Sequence, residues 1–111
     1  MSFDLETALK GMGNDESLLY ETLQDFIDYY GDAGEKIRIA LNEERYADAE
    51  ILSHTLKGLG GTFASQALSD SGRSLENAIR KRDLDGLDEK VNLLDKDIHE
   101  MVAEIRQLLT A

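Results

Sequence analysis

The chain has no cysteine, no proline and no tryptophan among its 111 residues. Without cysteine there is no disulfide, no thiolate metal site and no thiol redox chemistry, in keeping with a cytoplasmic location. Without proline nothing interrupts a long helix from within. Aromatics are scarce at 6%, and no alternation of apolar and polar residues marks a strand. Positive charge is also in short supply: 12 Lys and Arg stand against 23 Asp and Glu, a formal net charge of −11. Such a surface repels phosphate backbones and anionic lipid, so nucleic acid is not an expected partner. No run approaches about 18 consecutive apolar residues, and the stretch from Met1 to Met12, with Asp4 and Glu6, lacks an apolar run of signal-peptide length. Membrane insertion is therefore not expected either. The length suits one domain over residues 1–111, expected to be monomeric, with a single modest core.

What is abundant is helix-forming: Leu, Ala, Glu, Asp and Lys dominate. Leu5, Ala8, Leu9 and Met12 make a short first helix, ended by Gly11 and Gly13. Asn14 or Asp15 caps a second, in which Leu19, Leu23, Phe26, Ile27 and Tyr30 keep helical spacing. Gly31 and Gly34 loosen the chain, and Asp32 with Glu35 reads as a capping-box-like restart before Ile37, Ala40 and Leu41, so this helix is kinked or broken. A third helix spans about Arg45 to Phe63. Ser65 caps the next, whose inward face is Leu68, Gly72, Leu75, Ala78 and Ile79. Asp83 or Asp85 opens the last and longest, with Leu87, Val91, Leu94, Ile98, Met101, Ile105 and Leu108 in one stripe. Short connections between long helices favour antiparallel neighbours. The expected fold is all-α: an up-and-down four-helix bundle with a short extra N-terminal helix.

The helix from Arg45 to Phe63 carries the chemistry. At about 100° per residue, Ala49, Leu52, Leu56, Leu59 and Phe63 share an apolar stripe that faces a core. Glu50, His54, Lys57, Gly58 and Gly61 form a second stripe roughly 160° away, so His54 points at water. Gly58, Gly60 and Gly61 each cost about 1 kcal/mol relative to alanine in a helix interior, and three in four positions call for a compensating reason. At Gly58 and Gly61 the missing Cβ clears an approach to the imidazole. Lys57, three residues on, is a surface neighbour whose ammonium suits an anion carried by the ring. The pattern fits a surface histidine that carries a phosphoryl group.

Other chemistries fit less well. A di-iron carboxylate bundle needs Glu three residues before each histidine, where Ile51 and Lys96 stand. His99-Glu100-Met101-Val102-Ala103 lacks the second histidine of a zinc-protease motif, so no metal site is assigned. His99 has no lysine or glycine partners and pairs at most with Asp95, as surface filler. Gly58-Leu59-Gly60-Gly61 follows no strand and leads to no Gly-Lys-Ser/Thr, so ATP binding is not expected. With two histidines on different exposed faces there is no nucleophile-base-orienter set for hydrolysis.

The stretch from Tyr46 to Asp83 resembles the histidine phosphotransfer (HPt) domains of bacterial multistep phosphorelays, whose signature is a histidine, a lysine three residues on and a glycine after it. His54, Lys57 and Gly58 match it, and Leu68, Leu75 and Glu76 fall where the family has a leucine and a Leu-Glu pair. Two positions depart: Ala64 stands for a glycine ten residues after the histidine, and Arg45 for an N-capping aspartate nine residues before it. The resemblance implies the same bundle and a phosphocarrier without its own kinase site. His54 is then the phosphoacceptor, through Nε2, and Lys57 the counter-charge. Response-regulator receiver domains, including those of hybrid sensor kinases, are the implied partners. No cofactor belongs to this chain; the partner receiver brings Mg²⁺. An apolar docking patch is implied around His54, with Leu59 and Thr62 as weaker members, and Glu50 either orients the imidazole or is merely solvated. Lys57 to Phe63 also looks like the phosphoacceptor domain of chemotaxis-type kinases, which a separate ATP-binding domain phosphorylates. A reading from another class is an acidic helical adaptor without chemistry.

Overall fold

The computed structural model describes all 111 residues and contains six helices and no strand. They are α1 (Leu5–Gly11), α2 (Glu16–Tyr30), α3 (Ala33–Asn42), α4 (Tyr46–Thr62), α5 (Gln66–Arg80) and α6 (Leu87–Leu109). Helices α3, α4, α5 and α6 close a ring in which each packs on two neighbours, and α2 continues along α6 beyond the ring. The 23 residues of α6 give it a length of about 34 Å, enough to back both halves of the broken second helix. The core runs along the bundle axis through Leu23, Ile37, Leu56, Leu75, Leu94 and Ile98. At the end where α4 stops, Phe63 meets Phe3 edge-on at 6.5 Å and Phe26 at 5.6 Å between ring centroids. The N-terminal segment is tied there by the Asp4 amide, which donates to the Phe63 carbonyl at 3.2 Å.

The caps follow the sequence in part. Asp15, rather than Asn14, caps α2 by accepting from the Leu18 amide at 3.0 Å, and Ser65 caps α5 by accepting from Leu68 at 3.3 Å. Asp32 makes no cap bond; its carboxylate pairs with Lys36 instead. Neither Asp83 nor Asp85 opens α6, because Gly86 at φ +71° turns the chain directly into Leu87. Gly34 does not loosen the chain. It is buried against α6, where an added Cβ would meet the Asp95 carboxylate at 2.2 Å, so its role is close helix approach.

Ala64 does take the left-handed conformation, at φ +53°. A Cβ there costs about 1–2 kcal/mol, offset in part by the smaller entropy alanine loses on folding. Ala64→Gly is thus expected to stabilise the fold by about 0.5–1 kcal/mol, read as a rise in the midpoint of denaturant unfolding. A fall in that midpoint would mean that the Cβ contributes packing that outweighs the strain.

Candidate functional site

The site forms where α4 and α5 approach most closely, and small residues cause that approach. On α4, Ser53 and Gly60 are buried; a Cβ on Gly60 would lie 2.4 Å from the Ser69 amide nitrogen, and one on Gly72 would lie 2.8 Å from that of Lys57. The apolar stripe inferred from spacing is therefore rotated. Ala49, Ser53, Leu56, Gly60 and Phe63 are the buried residues, while Leu52 and Leu59 lie half-buried at its edge. The Ser53 hydroxyl satisfies itself within α4 by donating to the Ala49 carbonyl at 2.8 Å. Gly60 owes its place to this packing, whereas an added Cβ on Gly58 or Gly61 would meet nothing within 4 Å. Only those two glycines leave open space on the histidine face.

One turn beyond Gly72 lies Glu76, whose side chain is only 2% exposed. It sits beneath two residues of α4. His54 Nδ1 is 2.5 Å from Oε2, and Lys57 Nζ donates to Oε1 at 2.8 Å. Arg80, one turn further on α5, brings Nη2 to 3.3 Å from the same Oε2 and donates from Nε to Glu50 at 3.2 Å. Burial pushes the Glu76 carboxyl up, but the hydrogen bonds and charges of Lys57 and His54 outweigh it and hold the group below the usual glutamate range. An ionised Glu76 can only accept, so Nδ1 of a neutral His54 carries the proton and Nε2 keeps its lone pair. The His54 side chain is 64% exposed, so the ring is fixed on one side and open on the other.

One expectation needs revision. Lys57 does not lie wholly on the solvent face: its side chain is 27% exposed, and its ammonium neutralises a buried carboxylate. Of the two readings of Glu50, the imidazole-orienting one falls, since Glu50 engages Arg80 and Glu76 holds the ring. Spacing alone also missed Ile51, three residues before His54 and 64% exposed. His99 lies as expected on the surface, with Nε2 at 3.6 Å from Asp95. Arg45 makes no cap and pairs instead with Glu43 and Asp48.

A buried acid on α5 thus holds an exposed histidine on α4, with a lysine one turn on. The family model described as Hpt domain matches residues 21–108. The chain belongs to the Hpt family. No curated protein and no solved structure matches it. Hpt domains serve histidine phosphotransfer in phosphorelays, exchanging with receiver domains as phosphocarriers rather than as enzymes. The matched span opens within α2, so α1 of this Hpt domain lies outside it. No helix is long and apolar enough to cross a membrane.

Proposed function

We propose that this Hpt domain takes a phosphoryl group from a receiver aspartate onto Nε2 of His54 and gives it to a second receiver in a cytoplasmic relay. The observation that carries the reading is the His54–Glu76 pair: Nδ1 engaged by a buried carboxylate, the ring exposed. The Nε2 lone pair forms the N–P bond as the bond from phosphorus to the aspartyl oxygen breaks, and the electron pair leaves with that oxygen to restore the aspartate. No proton moves. The ring, now substituted at Nε2 and still protonated at Nδ1, carries positive charge that Glu76 offsets, much as a buried acid offsets an imidazolium in a catalytic triad. Such a near in-line displacement asks for positioning and charge neutralisation. Lys57 spends one N–H on Glu76 and has two more for phosphoryl oxygens. The receiver supplies the aspartate and Mg²⁺, and this chain contributes no cofactor or ATP site. Ile51, Thr55, Gly58, Gly61 and Thr62 share the α4 face that carries the ring, with Ile51 as the apolar anchor.

Incubation with receivers loaded from acetyl phosphate, set against ATP with candidate histidine kinases, tests the donor. Label is expected from the receivers. Label from ATP and a kinase alone would replace the receiver as donor, and no label from either would leave an adaptor without chemistry.

Gly58 separates steric access from helix propensity. Both Gly58→Ala and Gly58→Gln are expected to raise thermal stability, by up to about 1 kcal/mol, because the position is helical, exposed and free of contacts. The long glutamine side chain, one turn from the imidazole, is expected to slow phosphoryl loss from a loaded receiver far more than alanine does. Parental rates in Gly58→Gln would end the access argument.

A further inference from the structure

Around the imidazole the charges balance in pairs. On α4, Glu50 and Lys57 flank His54; on α5, Glu76 and Arg80 face it. Two carboxylates and two cations leave the cluster neutral only while His54 is neutral. On the other flank of α4, the nearby charges of the α3 groove are already paired, Lys36 with Asp32 and Arg45 with Glu43 and Asp48. Arg80 is the member with two attachments. It bridges Glu50, four residues before His54, and the Glu76 oxygen that accepts from the ring.

We propose that Arg80 is a positioning residue for phosphotransfer, which by holding Glu50 and Oε2 of Glu76 together keeps the imidazole neutral and its Nε2 lone pair available. The physical reason is the sharing of Oε2. A carboxylate oxygen engaged only by His54 favours the imidazolium, whose two N–H groups leave no lone pair to attack phosphorus. A guanidinium on the same oxygen opposes that second proton, and it also cancels Glu50, which would otherwise stand unneutralised one turn from the ring. Arg80 is mostly exposed, so it acts through charge and not by supporting the core.

The proposal rests on His54 being the phosphoacceptor, and two readouts keep the two questions apart. In Arg80→Gln the ratio of charged to neutral His54 ring at a fixed pH, followed by NMR, is expected to rise roughly threefold. In Glu50→Gln it is expected to fall, because Arg80 then acts on Glu76 alone. The acid limb of the transfer rate should move the same way in each variant, and Arg80→Lys should restore most of the parental profile. Equal loss of transfer by Arg80→Gln at every pH, or shifts of the same sign in Arg80→Gln and Glu50→Gln, would overturn the assignment. NMR shifts as described in a chain that accepts no phosphoryl group would instead uphold the charge balance and refute the relay function.

Discussion

His54→Gln is expected to abolish phosphoryl acceptance outright while leaving the fold intact. The parental chain, given a loaded receiver, should gain one acid-labile, alkali-stable phosphoryl group, the signature of a phosphoramidate. His99 is the internal control, exposed to the same extent but paired only with Asp95 on its own helix. His99→Gln should label as the parent does. Because the His54 side chain is mostly solvated, its replacement should move stability by no more than about 0.5 kcal/mol, and a melt taken beside the labelling assay separates lost chemistry from lost structure. Label that persists in His54→Gln, or disappears in His99→Gln, would refute the site.

The second large effect belongs to Glu76. Glu76→Gln keeps the volume but loses the charge, and its amide presents one donor group where the carboxylate offered two acceptors. His54 and Lys57 are held on different oxygens, so whichever way the amide turns, one of them faces its NH₂ group in place of an acceptor. Nδ1–H is no longer favoured, and the charge that develops on the ring is no longer offset. Transfer is expected to fall about ten- to a hundredfold, as it does where the partner that fixes a functional histidine's tautomer is removed. Stability should report the same change through pH. The Glu76 carboxyl is held below the ordinary glutamate value of 4.5 in the folded chain, so its contribution is present above that value and lost as pH falls through the depressed one. Melts of parent and variant should therefore differ most near neutral pH and converge in acid. A variant that transfers at the parental rate would remove Glu76 from the mechanism.

The same pair of residues shows why part of the site was legible in one dimension and part was not. His54, Lys57 and Gly58 lie within one turn of α4, so spacing places them together. Glu76 is 22 positions away from His54, and periodicity offers only an acid flanked by Leu75 and Ile79 at the edge of an apolar face, the usual place of a solvated residue. Its burial depends on Gly60 and Gly72 admitting the backbones of α4 and α5 to close contact. Glycine is ambiguous in a sequence: absent side chains leave open surface at Gly58 and Gly61 and serve helix packing at Gly60, and only the neighbours tell them apart. The rotation of the buried stripe on α4 has the same origin, since small residues such as Ser53 and Gly60 carry little hydrophobic signal yet fill the closest interface.

The sequence by itself determined an all-helical chain, the helix order, the break after Tyr30, the caps at Asp15 and Ser65, and an exposed His54, because each is set by residues within a turn or two of one another. Tertiary structure alone decided which carboxylate holds the imidazole, that Lys57 neutralises that carboxylate, that Arg80 bridges Glu76 and Glu50, and that Gly86 rather than an aspartate starts α6. These depend on the distance between helices, which is fixed by side-chain volume at the contact, and on charge pairs whose members no local periodicity connects.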